Sequence, residues 1–242
     1  MVSPLVMLPG MMCDARLFMP QIIALSAETS VSVAPMTVGD SIEKIARNVL
    51  AQAPQTFALA GLSMGGIVAM EMLRQAPDRI ERLALLDTNC QSEMPNVAAA
   101  REPQIARVRA GRLIEVMRDE LRPNTLAPSA QRDEVLQIVM EMAQDLGPEV
   151  FIEQSRALQR RPDQQATLRR AKTPTLVMCG EYDTLCPIRR HEFMAHLMPN
   201  AHLEIIPDAG HLPTLEQPFA VIDHLRSWLE APAMKPYSPL LL

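Results

Sequence analysis

Short continuous apolar runs alternate with amphipathic stretches over the first third of the chain. The alternation then stops, and it resumes over the last third. Pro4-Leu5-Val6-Met7-Leu8 has no polar position and is closed by Pro9-Gly10. A run apolar on both faces predicts a buried strand of a parallel sheet. After the loop Gly10 to Asp14 the pattern predicts a helix from about Ala15 to Ala27 and a second strand over Val31 to Pro35. A further helix spans Ile42 to Ala53, with Asp40 as its N-cap and Glu43 three residues on. Gln55 to Ala60 predicts a third strand, Ile67 to Ala76 a helix that stops before Pro77, and Arg79 to Asp87 holds a fourth strand.

From about Glu93 to Arg170 the spacing is helical only, punctuated by Pro95, Pro103, Gly111, Pro123, Pro128, Gly147 and Pro162. Leu113, Val116, Met117 and Leu121 share one helical face, as do Val135, Ile138, Val139 and Met142. Roughly four short helices inserted between strands, as a lid, are expected. Strands return at Pro174 to Cys179 and Ala201 to Ile206, with helices over Ile188 to Leu197 and from Pro218 to about Leu229. Repeated strand–helix units predict an α/β fold, a mostly parallel sheet of about six strands with helices on both faces. The expected division is a core of residues 1–92 and 171–230, a helical lid of 93–170, and a poorly ordered extension of 231–242, which carries three prolines.

Composition narrows the class. The 242 residues are 48% hydrophobic and 21% charged, as in soluble globular proteins. A net charge of -5 and an aromatic content of 3% argue against a nucleic-acid partner. The uncharged stretch Asn48 to Met70 contains Gln52, Pro54, Gln55, Thr56, Ser63 and three glycines, so it predicts strand–turn–helix and not a membrane span. The 17 methionines read as core filling. Cys13, Cys90, Cys179 and Cys186 form no Cys-x-x-Cys pair or metal-ligand spacing, so they read as free thiols in a reducing compartment. The apolar N-terminus has no preceding Lys or Arg and is interrupted by Pro4, Pro9 and Gly10, unlike a signal peptide. A cytoplasmic protein, monomer or homodimer, with no membrane partner is expected.

The chemistry centres on Gly61-Leu62-Ser63-Met64-Gly65-Gly66. A strand, a tight Gly-flanked turn carrying a serine, then a helix is the context of a nucleophile elbow. Gly61 and Gly65 let strand and helix approach closely, and the helix N-terminus aims free N–H groups at the reacting oxygen. In a parallel α/β sheet, sites lie beyond the C-terminal strand ends. Ser63 follows the third strand, Asp183 the fifth, His211 the sixth, and the Gly10-Met11 turn the first. Serine, acid, histidine is the chain order of the triad built on an elbow. His211 would take the Ser63 proton, Asp183 would orient the imidazole, and the backbone N–H groups of Met11 and Met64 would hold the oxyanion.

With these residues the chain resembles the alpha/beta-hydrolase fold superfamily, in particular its small, lid-bearing bacterial esterase-like branch, over about Pro4 to Leu229. The landmarks are Leu8-Pro9-Gly10, the Ser63 elbow, Gly180-Glu181-Tyr182-Asp183 and Gly210-His211. The family usually has His-Gly in its oxyanion loop, where this chain has Pro9-Gly10. The first apolar run matches what would be the family's third strand, so about six strands, without the family's N-terminal hairpin, are expected. The resemblance implies a serine carboxylic-ester hydrolase working through an acyl-enzyme. Its substrate would be a small ester, lactone (acyl-homoserine lactones included) or thioester with an apolar portion. It would need no metal and no cofactor. Relatives also use this triad to hydrolyse carbon–carbon bonds, to eliminate pyruvate as in menaquinone synthesis, or to make peracids; others are non-catalytic binding proteins, which often lose a triad member. Relatives that act on anionic dienes tend to need arginines in the pocket, so an inward-pointing lid arginine is the discriminating feature.

Each site residue has a rival. Asp87 also ends a strand and competes with Asp183 as the acid; Gly180-Glu181-Tyr182-Asp183 before a Pro-initiated helix fits the family pattern better. His191, His196, His202 and His224 fall within predicted helices or a strand and read as surface or core residues. Cys186, with no base in view, reads as a bystander. Arg160, Arg161, Arg169 and Arg170 could attract an anion, but such a run reads as a solvated face.

Overall fold

A computed structural model describes residues 3–120 and 125–231. Six strands form one parallel sheet: β1 (Leu5–Leu8), β2 (Val31–Val33), β3 (Phe57–Leu62), β4 (Ile80–Leu86), β5 (Thr175–Gly180) and β6 (Ala201–Ile206). Their order is β2-β1-β3-β4-β5-β6, and every adjacent pair is parallel. The winding reverses between β1 and β3, which opens a crevice at their C-terminal ends.

The apolar runs become strands because both faces are covered. Leu5, Met7, Ala58, Ala60, Leu62, Ala84, Leu86, Leu176 and Met178 point into one core with α1 (Met19–Leu25). Val6, Leu8, Phe57, Leu59, Leu83, Leu85 and Val177 point into the other, with α2 (Ile42–Gln52) and α3 (Met64–Gln75). This is the period-two alternation of a doubly covered sheet. Only the edges are less covered: β2 has no fully buried residue, and β6 is half-buried along most of its length.

Between β4 and β5 the chain makes α4 (Pro95–Arg109), α5 (Leu113–Glu120), α6 (Arg132–Gln159) and α7 (Gln165–Arg170). Ile105, Val108, Leu113, Val116, Met117, Ala143 and Phe151 form a third, smaller core around Met12 of the loop after β1. The longest helix turns at Gly147, whose φ of 81° breaks the helical path ahead of Pro148. Leu121 lies outside the described residues, as does the tail beyond Ala231. α8 (Ile188–Leu197) and α9 (Pro213–Glu216) precede α10 (Pro218–Glu230), whose Trp228 is buried in the first core. Among the described residues, no helix is long and apolar enough to cross a membrane.

Two sequence expectations are corrected. The N-cap of α2 is Ser41, not Asp40: Ser41 keeps extended backbone and its Oγ accepts the Lys44 N–H at 3.3 Å. Asp40 instead pairs with the Lys44 ammonium at 2.6 Å. The elbow is also tighter than expected. β3 runs on to Leu62 and α3 begins at Met64, so Ser63 alone makes the turn.

That tightness depends on missing side chains. A Cβ on Gly65 would lie 2.1 Å from the Leu8 carbonyl oxygen, and one on Gly61 would lie 2.3 Å from that of Gly65. Both obstacles are backbone and cannot rotate away. We expect Gly65→Ala to destabilise the protein by roughly 3 kcal/mol or more, the upper end of overpacking costs. Gly111→Ala, at φ +80° with nothing within 4 Å, should cost only about 1 kcal/mol. Urea denaturation of the two variants beside wild type checks this; equal losses would contradict the packing argument.

Candidate active site

Ser63 sits at φ 54°, ψ -116°, a sparsely populated conformation worth about 1–3 kcal/mol of strain. It is held from several sides. Its N–H donates to Leu86 O at 2.9 Å. Its carbonyl accepts from Gly66 N and Ile67 N of the first turn of α3, at 3.0 and 3.2 Å, and from the Thr88 hydroxyl at 2.7 Å. The side chain is thereby left standing at the crevice between β1 and β3.

The structure brings the three sequence-predicted residues together. His211 Nε2 lies 3.0 Å from Ser63 Oγ, and His211 Nδ1 lies 2.8 Å from Asp183 Oδ2. The other Asp183 oxygen accepts the N–H groups of Leu185 and Cys186 at 2.8 and 2.9 Å. Burial alone would raise the pKa of Asp183. The charge and hydrogen bond of His211 and the Cys186 N–H outweigh it and hold the carboxyl below its usual range. Asp183 is therefore ionised and gives His211 Nδ1 an acceptor, which leaves Nε2 facing the serine hydroxyl.

The rival acid is close by but shifted in the opposite direction. Asp87 is fully buried at φ 44°, and its Oδ1 accepts Gly180 N–H at 2.9 Å. Its Oδ2 meets no donor. Burial first, and the neighbouring charge of Asp183 second, raise its pKa well above the usual carboxylate value. Of the two candidate acids, Asp183 is the one that faces His211, and Asp87 lies behind it with its pKa raised.

Gly10, Met11 and Met64 line the same cavity as Ser63 and His211. Position 10 is close enough to the serine that a Cβ there would lie 3.6 Å from Ser63 Cβ. Met64 is the first residue of α3, so its N–H has no partner within the helix. Gln154 stabilises the loop by accepting the Met12 N–H at 2.8 Å while donating to Met36 O at 3.0 Å.

Three supporting residues were not singled out from the sequence. Glu216 accepts the N–H groups of Gly210, Leu212 and Ala127 at 2.9, 2.9 and 2.7 Å and so fixes the loop that carries His211. Thr88 ties the elbow to the end of β4. Gln154 spans the insertion and the loop after β1. Each acts on backbone groups brought close only by the fold, and their residue types carry no motif.

His191 is the fully buried histidine of α8. Its Nε2 accepts the Thr88 N–H at 3.0 Å, and its Nδ1 faces Pro187 O at 3.4 Å, so it is held as the neutral Nδ1–H form. Cys186 also lies beside the acid, and burial and the Asp183 charge push its thiol pKa up, so it is a poor nucleophile. Asp183, Cys186 and His211 offer ligand atoms within 4.8 Å of one another. Asp183 and His211 already spend those atoms on each other, however, and Cys186 is held as a thiol, so the set does not fit a resident metal.

The cavity over Ser63 has a volume of about 290 Å³ and is lined mainly by apolar side chains from the β4–β5 insertion and the strand ends. It also holds charge. Of the four arginines read as a solvated face, Arg160, Arg169 and Arg170 are exposed. Arg161 turns inward to the cavity, with its side chain 10% exposed, because buried Glu93 draws it at 3.0 Å.

The buried imidazole makes stability depend on pH. Burial lowers the His191 pKa from 6.5 to about 4, so below 6.5 the unfolded chain takes the proton first. The contribution is complete above that pH and is lost as pH falls towards 4, a total on the order of 3 kcal/mol. We expect the drop between pH 7 and pH 4.5, measured by urea denaturation, to be smaller in His191→Gln, whose amide can still accept the Thr88 N–H. An unchanged drop would contradict the assignment.

Comparison with known proteins places this architecture. The model of the alpha/beta hydrolase family matches residues 5–224. A thermophilic esterase from Thermogutta terrifontis, solved with malate bound, superposes with a TM-score of 0.84 at 30% identity, covering 94% of this chain and 89% of that one. An enol-lactonase from Burkholderia xenovorans shares the fold, with a TM-score of 0.82 at 23% identity over 95% and 92% of the two chains. A pimeloyl-[acyl-carrier protein] methyl ester esterase from Aromatoleum aromaticum is 26% identical over 197 residues, 74% of this chain and 76% of that protein. The match over nearly the whole chain shows that it belongs to the alpha/beta hydrolase family.

Proposed function

We propose that the protein is a serine hydrolase that cleaves carboxylic esters, lactones or thioesters through an acyl-enzyme, with Ser63 as nucleophile, His211 as general base and acid, and Asp183 as the orienting acid. The observation that carries this reading is the unbroken line Ser63–His211–Asp183, with contacts of 3.0 and 2.8 Å, at a cavity lined by the strand ends and the insertion. Esterases among its relatives support the reaction class.

The steps follow from the geometry. His211 Nε2 accepts the Ser63 proton as Oγ attacks the carbonyl carbon. Asp183 stabilises the imidazolium that forms. The Met64 and Met11 N–H groups stabilise the oxyanion, each worth roughly 3–4 kcal/mol in chemistry of this kind. Collapse expels the alkoxide or thiolate, which takes the proton from His211. Water, deprotonated by the same imidazole, then releases the acid. Helices α4 to α7 serve as a lid over the acyl pocket. The four cysteines, all free and buried, suit a cytoplasmic setting. The inward Arg161 also favours a second reading, in which the same triad cleaves a carbon–carbon bond of an anionic substrate.

Initial rates on p-nitrophenyl esters of increasing chain length test the proposal. Wild type should release nitrophenolate, and Ser63→Ala should lose essentially all of the rate while keeping wild-type urea stability. Full activity in that variant would overturn the proposal. The two carboxyls separate in the same assay. Asp183→Asn should lower kcat on the order of 10⁴-fold, as wrong-tautomer changes do in such triads. Asp87→Asn, which keeps a neutral donor beside Asp183, should lose less than about tenfold. The reverse order would make Asp87 the acid.

A further inference from the structure

The cavity above Ser63 holds an imbalance of charge that the hydrolytic machinery does not use. Four formally charged side chains other than His211 line it: Glu93, Arg101, Arg161 and Arg190. They come from three separate segments, just before α4, on α4 and just after α6, together with α8 outside the insertion. Glu93 is divided between two arginines. Its Oε2 accepts Nε and Nη2 of Arg101 at 3.1 and 2.9 Å, and its Oε1 accepts Nη2 of Arg161 at 3.0 Å. All three side chains are largely withdrawn from water, with exposures of 6% for Glu93, 15% for Arg101 and 10% for Arg161.

One carboxylate cannot balance three guanidinium groups. Arg161 Nε is buried without an acceptor. Arg190 forms no ion pair among the described residues. Burial of the Arg161 guanidinium lowers its pKa; Glu93 and Cys186 oppose this, and the charges of Arg101 and Arg190 add to it. A protein does not hold like charges in an apolar cavity without cost, because each desolvated ion loses its hydration. The arrangement becomes favourable when an anion completes it, and the planar fork of arginine suits a carboxylate. Glu93 meanwhile aims two of the guanidinium groups, so little side-chain freedom is lost on binding.

We propose that Arg101, Arg161 and Arg190 form an anion-binding subsite in the cavity over Ser63, and that the substrate is an ester whose acyl portion ends in a free carboxylate, the monoester of a short dicarboxylic acid. The substrate class rests on the ester-hydrolase reading above; the anion subsite does not. Arg101 also reaches the loop beside the nucleophile, with Nη1 3.8 Å from Met11 Sδ. With a cavity of about 290 Å³, this limits the spacer between ester and carboxylate to a few carbons.

Mono-(4-nitrophenyl) glutarate and 4-nitrophenyl butyrate share a leaving group and differ in the terminal carboxylate. Wild type should show a kcat/KM at least tenfold higher for the glutarate ester. Arg161→Gln should lower the ratio of the two kcat/KM values at least tenfold, Arg161→Lys should lower it less, and Glu93→Gln should raise it. A wild-type preference for the butyrate ester, or a ratio that none of the substitutions moves, overturns the proposal. Calorimetric titration with glutarate separates the subsite from the reaction. If wild type turns over neither ester yet binds glutarate, and Arg161→Lys and Arg161→Gln weaken that binding in increasing order, the subsite stands and the ester reading falls. If wild type binds no glutarate, the subsite falls whatever the esters do. Should Arg161→Gln not fold, Arg190→Gln, at a partly exposed position without an ion partner, carries the same ratio test.

Discussion

A helix can begin one residue after a strand and lie across the neighbouring strand only if its first turn has no side chains on the near face. Gly65 and Gly66 meet that condition here, and Gly61 on the strand clears the facing side. The nearest atoms that a Cβ would strike are Gly65 O, Leu8 O and the Thr88 side chain, at 2.3, 2.1 and 2.6 Å. Close packing of α3 against β1 and β3 forces the whole change of direction into Ser63, which accepts a positive φ because Leu86, Thr88 and the helix amides hold its backbone. The reversal of strand order next to β1 supplies the crevice into which the hydroxyl projects. The position of Ser63 is therefore a consequence of packing, and its strain is offset by the surrounding hydrogen bonds.

Behind that turn, the same polar residue types are driven to different charge states by their surroundings. Asp183 and Asp87 follow adjacent strands, yet the donors around Asp183 hold its pKa down, while burial and that neighbouring charge push the pKa of Asp87 well up. His211 faces Ser63 and a carboxylate; His191 faces a backbone amide and a carbonyl and is held uncharged. Environments that push like groups apart are the means by which one site assigns its acid and base roles. In the proposed subsite the arginines that line the cavity extend this logic to the substrate, whose anion supplies the missing counter-charge.

The succession of strands and helices along the chain, the doubly apolar runs and the Ser63 elbow were legible because each depends on local pattern: period-two burial, helix-breaking Gly and Pro, and a motif with one steric meaning. Asp183 and His211 were legible because strand ends converge in a parallel sheet. What escaped was set by tertiary contact. The cap of α2 moved by one residue because backbone conformation, not residue type, chose between Asp40 and Ser41. Arg161 was read with its exposed neighbours Arg160, Arg169 and Arg170, and only the buried Glu93, nearly seventy positions away in the chain, turns it inward. Glu216 and Gln154 bond backbone amides far from them in sequence, which no spacing rule announces.

The central claim is that Ser63 carries the acyl group during turnover. Rapid acid quench of wild type with a p-nitrophenyl ester, followed by peptide mass mapping, tests it directly. The account predicts an acyl adduct on the peptide containing Ser63, formed with stoichiometric release of nitrophenolate and cleared as water deacylates it. Turnover with the adduct on Cys186 or another side chain, or with Ser63 unmodified at every quench time under conditions where deacylation limits the rate, would contradict it.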